Sequence, residues 1–200
     1  MSSPRVALTF DTEHWSHPST PDVQDRILDV LGRAGVRATF FVQGRWATAY
    51  PACARRIAAE GHLVGNHSHH HAPMSLLTDA GIERDLAEAE EAIAEHAGVD
   101  PRPWFRCPFG DGHDDPRVLA AVQRAGYRNH HWDVEPDDWR PQRTPIDLER
   151  LVIEGALAHG DGAVVLLHSW PPATIAALPA ILDGLAAGGA SLVRLDEVTV

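Results

Sequence analysis

His67 and His71 stand four residues apart in the run Gly65-Asn66-His67-Ser68-His69-His70-His71. On a helical turn that spacing puts both imidazoles on one face, where a divalent cation can bind. Asp11 and Glu13 follow the apolar run Val6–Phe10 and, two apart at a strand end, can point the same way. Two imidazoles and one carboxylate leave open positions on a metal for water and substrate. A cation held in this way lowers the pKa of water to about 7 and polarises a carbonyl. The second carboxylate is then free to take a proton from water, and His168, in Leu166-Leu167-His168-Ser169-Trp170, is placed to protonate a leaving group. The chemistry these residues suit is hydrolysis of an amide or ester. They do not choose the ion: Zn2+ is expected, with Co2+ or Ni2+ also suited.

Taken singly, each residue has a plainer explanation. A His-x-x-x-His pair is often solvated, an Asp at a strand end often caps the next helix, and Trp132 and Trp139 could be core. Cys53, Cys107, Met74 and the acids of Thr78–Ala97 are read as core and solvated helix face. The elements that must position the reactive residues decide between the two readings. Short apolar runs at Val6–Phe10, Ala38–Val42, His62–Gly65, Trp104–Cys107, Tyr127–Trp132, Ala163–Leu167 and Ser191–Leu195 predict strands. Between them lie helical patterns with cap, proline and glycine boundaries. These are Thr20-Pro21 to Gly35, Pro51 to Gly61, Thr78 to Gly98, Asp115-Pro116 to Gly126, Thr144-Pro145 to Gly160 and Pro171-Pro172 to Gly188. Seven strands alternating with helices predict an α/β chain with a mainly parallel sheet, closed like a barrel. In such folds the working residues gather at the C-terminal strand ends. Asp11, His67, Arg106, Asp138 and His168 all follow or end strands, so they converge on one mouth.

Composition narrows the class further. Of 200 residues, 28 are acidic and 17 basic, a net charge of -11. That balance excludes nucleic acid and anionic membrane surfaces as expected partners. Every cation is Arg, so a Walker phosphate loop, a Schiff-base lysine and a Ser–Lys dyad are all absent. The first strand begins almost at Met1 and no run approaches a membrane span, so a cytoplasmic protein is expected. Two distant cysteines suggest no disulfide framework. Oligomeric state is not encoded in these features.

The motifs Thr9-Phe-Asp-Thr-Glu13, Gly65-Asn-His-Ser-His-His-His71, Arg106-Cys-Pro-Phe-Gly110, Trp132-Asp-Val-Glu-Pro-Asp-Asp-Trp139 and Val164-Val-Leu-Leu-His-Ser169 resemble, in order and spacing, the NodB-homology polysaccharide deacetylases, carbohydrate esterase family 4. The resemblance spans Arg5 to Val200 and implies one catalytic domain over residues 1–200, folded as a distorted (β/α)7 barrel. It also implies metal-dependent removal of acetyl groups from N-acetylglucosamine-type units. Carried onto this chain, Asp11 would be the base and His67 and His71 would hold the metal, with Ser68 tying their loop. Arg106 would orient Asp11, and the Phe109 backbone N–H would help stabilise the oxyanion. His168 would be the acid, held cationic by Asp138; Trp139 would wall the groove and Leu166 would line the acyl pocket.

Three positions depart from the family pattern. Thr12 stands where a second Asp is common, so Glu13 becomes the expected third ligand. Phe109 replaces a frequent Tyr, and Ser169 follows His168 where Asp is common, which leaves the tuning of His168 to Asp138. Short loops and the lack of an export segment point to a small N-acetylated sugar or oligosaccharide rather than a polymer. Trp15 and Trp139 would serve as platforms for a pyranose face. The rival readings are a non-sugar amide hydrolase of the allantoinase-like branch, which would want a ring of Arg, a xylan O-acetyl esterase, and an inactive acyl-sugar or metal binder.

Overall fold

A parallel strand covered on both faces needs apolar residues on both, and the first strand has them. In the computed structural model, which describes residues 3–13 and 21–198, this strand (β1, Arg5–Thr12) is buried from Val6 onward. All seven expected strands form: β2 Thr39–Val42, β3 Leu63–Asn66, β4 Trp104–Phe105, β5 Arg128–Asn129, β6 Ala163–His168 and β7 Ser191–Val193. Every pairing is parallel, in the order β5-β4-β3-β2-β1-β6, with β7 also on β1. β2 covers Thr9–Thr12 of one β1 edge and β7 covers Arg5–Ala7 of the same edge, while β6 runs along the other from Val6 to Asp11.

The expected Tyr127–Trp132 strand shortens to Arg128–Asn129, but its continuation closes the barrel. Asp133 and Val134 donate backbone N–H bonds to the Val164 carbonyl, and Leu166 N–H donates to that of Val134. The curled sheet with its outer helices is a distorted (β/α)7 barrel.

The helices fall where their boundary residues predict: α1 Pro21–Ala34, α3 Pro51–Ala59, α4 Asp79–Ala97, α5 Pro116–Arg124, α6 Pro145–His159 and α7 Pro172–Ala187. Thr78 accepts from Gly81 N–H, Asp115 accepts from Arg117 N–H, and Thr144 with Asp147 forms a reciprocal capping box. The Thr20 cap lies outside the described residues, as do His14 and Trp15. Two short helices have no expectation behind them, α2 Gly44–Ala49 and α8 Leu195–Val198. Each is only a turn or so long, too short to display a period.

Strand alternation sorts the side chains by layer. Val6, Leu8 and Phe10 of β1 and Ala163, Val165 and Leu167 of β6 join the main core. Thr9 and Asp11, with Leu166 and His168, therefore face the barrel interior. Phe41 also packs inside, with Val164 and Leu195. Gly65 of β3 makes room for that ring, since a Cβ there would lie 2.7 Å from Phe41 Cδ1 and 3.1 Å from Trp104 Cβ. Gly65→Ala is expected to lower stability by about 1–3 kcal/mol through overpacking. Urea unfolding checks this, and an unchanged midpoint would refute the crowding.

Candidate active site

Asp11 and His168 are register partners on neighbouring strands, so the sheet itself sets the two side chains side by side. Arg106, fully buried just after β4, donates from Nη1 to Asp11 Oδ1 at 2.8 Å and to Thr9 Oγ1 at 2.8 Å. Its Nε donates to the His130 carbonyl, and its plane lies 4.2 Å from the Phe41 ring centre. Burial pulls the guanidinium down from its ordinary value, while the Asp11 charge opposes the fall. Arg106 is thus no surface ion pair; it fixes one carboxylate oxygen and leaves the other, Oδ2, 3.5 Å from His67 Nε2.

His67 and His71 do converge, with Nε2 atoms 3.1 Å apart, but not on a helical turn. The segment is a loop with Ser68 and His71 at φ of 64° and 57°. Its shape is held from within. Asn66 accepts from Ser68 N–H, Ser68 Oγ accepts from His71 N–H, and Asn66 Nδ2 donates to the Leu86 carbonyl. His67 Nδ1 lies 3.0 Å from the Arg106 carbonyl. A carbonyl only accepts, so that nitrogen carries the proton and Nε2 offers a lone pair. Burial lowers His67 to about 4, keeping the ring neutral.

Glu13 reaches the same point, its Oε2 2.5 Å from His71 Nε2 and its Oε1 accepting from the Trp170 indole at 3.0 Å. Burial would raise its pKa, but the His71 hydrogen bond and the charges of His71, His168 and His67 outweigh burial and hold it at about 2. Ligand atoms of Glu13, His67 and His71 all lie within 4.8 Å of one another. This donor set fits a divalent cation: an ionised carboxylate and two imidazole nitrogens about as far apart as neighbouring ligands with bonds of about 2.1 Å. No lysine or thiol lies among them.

His168 Nδ1 lies 2.7 Å from Asp138 Oδ1, and Asp138 Oδ2 accepts from His168 N–H and Thr174 Oγ1, each at 2.7 Å. Burial alone would lower His168. The Asp138 charge and hydrogen bond, helped by Glu13 and Asp11, raise it to about 9. A ring so held is protonated at neutral pH and can give up a proton.

These groups open into a cavity of about 400 Å³ lined by Asp11, Glu13, His67, His71, Phe109, Trp132, Glu135, Trp139, Leu166, His168 and Trp170. Among the described residues given a role from the sequence, all line it except Arg106 and Asp138, which lie behind Asp11 and His168, and Ser68, which holds the His67–His71 loop from within. Phe109, at φ 59°, leans its exposed ring on His71 with centres 4.4 Å apart. Cys53, Cys107 and Met74 are buried in the core, as expected.

Four contributors escaped the sequence reading. Trp170 and Glu135 stood within quoted motifs without a role. Thr174 had no signal. Asp85 was assigned with its neighbours to a solvated face, yet it is buried and accepts from His69 N–H and His70 N–H. Its signal was present, since Ile82, Asp85 and Ala89 share one apolar stripe of α4.

A parallel barrel with a carboxylate–imidazole cluster and a proton donor at its C-terminal mouth defines a class of hydrolase scaffolds. The family model for polysaccharide deacetylase matches residues 1–130. A chitooligosaccharide deacetylase of Rhizobium leguminosarum bv. trifolii is 34% identical over 207 residues, covering 96% of this chain and 90% of the relative. Among solved structures, the family 4 carbohydrate esterase from Streptomyces lividans in complex with acetate superposes with a TM-score of 0.83 at 30% identity, over 96% of this chain and 93% of that one. A CE4 family pseudoenzyme from Bacillus anthracis superposes with a TM-score of 0.86 at 27% identity, over 98% and 65%. The chain belongs to the polysaccharide deacetylase family. No helix among the described residues is long and apolar enough to cross a membrane.

Proposed function

We propose that this chain is a divalent-metal-dependent deacetylase that removes the N-acetyl group from an N-acetylglucosamine-type sugar or oligosaccharide. The observation that carries the reading is the register pairing of Asp11 with His168 beside the Glu13, His67 and His71 cluster. A proton acceptor and a proton donor there flank one point where a carbonyl can sit. Glu13, His67 and His71 would hold the metal, which supplies Lewis acidity toward the acetyl oxygen and the attacking water when bound.

Asp11, pinned by Arg106, takes a proton from water as its oxygen bonds to the acetyl carbon. His168, kept cationic by Asp138, delivers its Nε2 proton to the sugar nitrogen as the C–N bond breaks, giving acetate and the free amine. The Phe109 backbone N–H would add a donor for the charge that develops on the acetyl oxygen. Leu166 offers an apolar wall to the methyl group. Trp139 and Trp132 offer flat faces to the ring.

The cavity volume, at the small end of ligand pockets, favours one enclosed sugar unit over a long buried chain. Its described lining holds aromatic rings and no Arg, which favours a sugar over a ureide. Acetate release from N-acetylated chito-oligosaccharides, with and without chelator, tests the reading. Inertness in both conditions, alongside tight sugar binding, would instead make this a binding scaffold.

Two variants probe single roles. Glu13→Ala is expected to weaken zinc uptake at this site by more than about 10-fold, read by equilibrium dialysis; unchanged affinity would remove Glu13 from the ligand set. Asp138→Asn takes away the charge that holds His168 at about 9 against burial. A protonated donor is lost as pH rises through its pKa. The basic limb of the kcat–pH profile should therefore move down, toward the ordinary 6.5. A limb that stays put would mean another group supplies the proton.

A further inference from the structure

The two histidines between the cluster residues are not idle. His69 and His70 turn away from the cavity toward α4, where Glu88 meets them: a ring nitrogen of each and a Glu88 carboxylate oxygen lie within 4.8 Å of one another. The group is reachable, with the His70 and Glu88 side chains 54% and 42% exposed. It is also prearranged. The buried Asp85 carboxylate accepts from the backbone N–H groups of both histidines, and its Oδ1 lies 2.8 Å from His70 Nδ1. Glu88 Oε2 approaches the same nitrogen at 3.7 Å, so a cation entering there would take His70 Nδ1 in place of its proton, with the Asp85 and Glu88 carboxylates beside it. Gly44 leaves the space in which the His69 ring sits, since a Cβ there would approach His69 Nδ1 to 2.5 Å.

The geometry points to a second, outer site in which His69, His70 and Glu88 bind a borderline divalent cation of the zinc, nickel or copper class. An ion there would tie the His67–His71 loop to α4 from outside the barrel. Its ligands are distinct from Glu13, His67 and His71, so the equivalents bound at the two sites can be counted separately.

The test is equilibrium dialysis of the untagged chain against zinc alone, comparing wild type with His70→Ala and Glu88→Gln. Both substitutions are at exposed positions, and circular dichroism checks that folding is intact. Each variant is expected to bind one equivalent fewer than wild type, or to bind that equivalent at least about 10-fold more weakly. Wild type and both variants binding the same number with the same affinity would overturn the outer site. The comparison is a difference, so it stands whatever the inner cluster binds, and acetate release reports on the inner site separately.

Discussion

Asp11→Asn is expected to lower acetate release by about 10²–10⁴-fold, the range lost with a general base, while zinc uptake at the inner cluster persists. The amide oxygen can still accept from Arg106, so the loop geometry survives. What it cannot do is take a proton from water at Oδ2, the oxygen that Arg106 leaves free. Zinc dialysis and acetate assay on the same preparation separate the two effects. Retained turnover would remove Asp11 from the chemistry, and lost metal would make it a ligand instead.

The largest expected effect on stability is at Arg106. The pair it forms with Asp11 is buried on both sides, with side chains 0% and 5% exposed. Arg106→Ala strands the carboxylate without its partner, a loss of about 3–5 kcal/mol, or roughly 6–20 °C in Tm for a domain of this size. It also removes the guanidinium from Phe41 and opens a void beside it. Thermal melts of Arg106→Ala, Asp11→Asn and the double variant close a cycle. The double variant should be less destabilised than the sum of the singles, because the stranded charge is gone. Strict additivity would show that the pair contributes nothing through its charges.

The two strongest expectations drew on different parts of the sequence. Strand positions followed from short apolar runs bounded by Gly and Pro, and β1 to β7 all formed within a few residues of them. Convergence of Asp11, His67 and His168 followed from strand ends in a parallel sheet, a rule of topology that needs no side-chain detail. What local pattern could not carry was contact across the chain. Asp85 reaches back to His69 and His70 over some fifteen residues, and Thr174 supports Asp138 from 36 residues away. The His67–His71 spacing pointed to the right convergence through the wrong backbone. A helix would align such a pair by its period, whereas this loop does so with left-handed Ser68 and His71 and the Ser68 Oγ that accepts from His71 N–H. Short α2 and α8 lacked the length to show a period at all.

Val134 stitches the last gap in the sheet by backbone bonds to β6, and Trp132, Glu135 and Trp139 flank that stitch. Asp11 and His168 ride on β1 and β6, paired to each other from Val6 to Asp11, while the aromatic wall hangs on a seam held by a few bonds. Widening that seam would reshape the berth for the sugar and leave the bond-breaking groups where they are. Under the proposed reading, a change along that seam is expected to alter saccharide preference without disturbing the reaction.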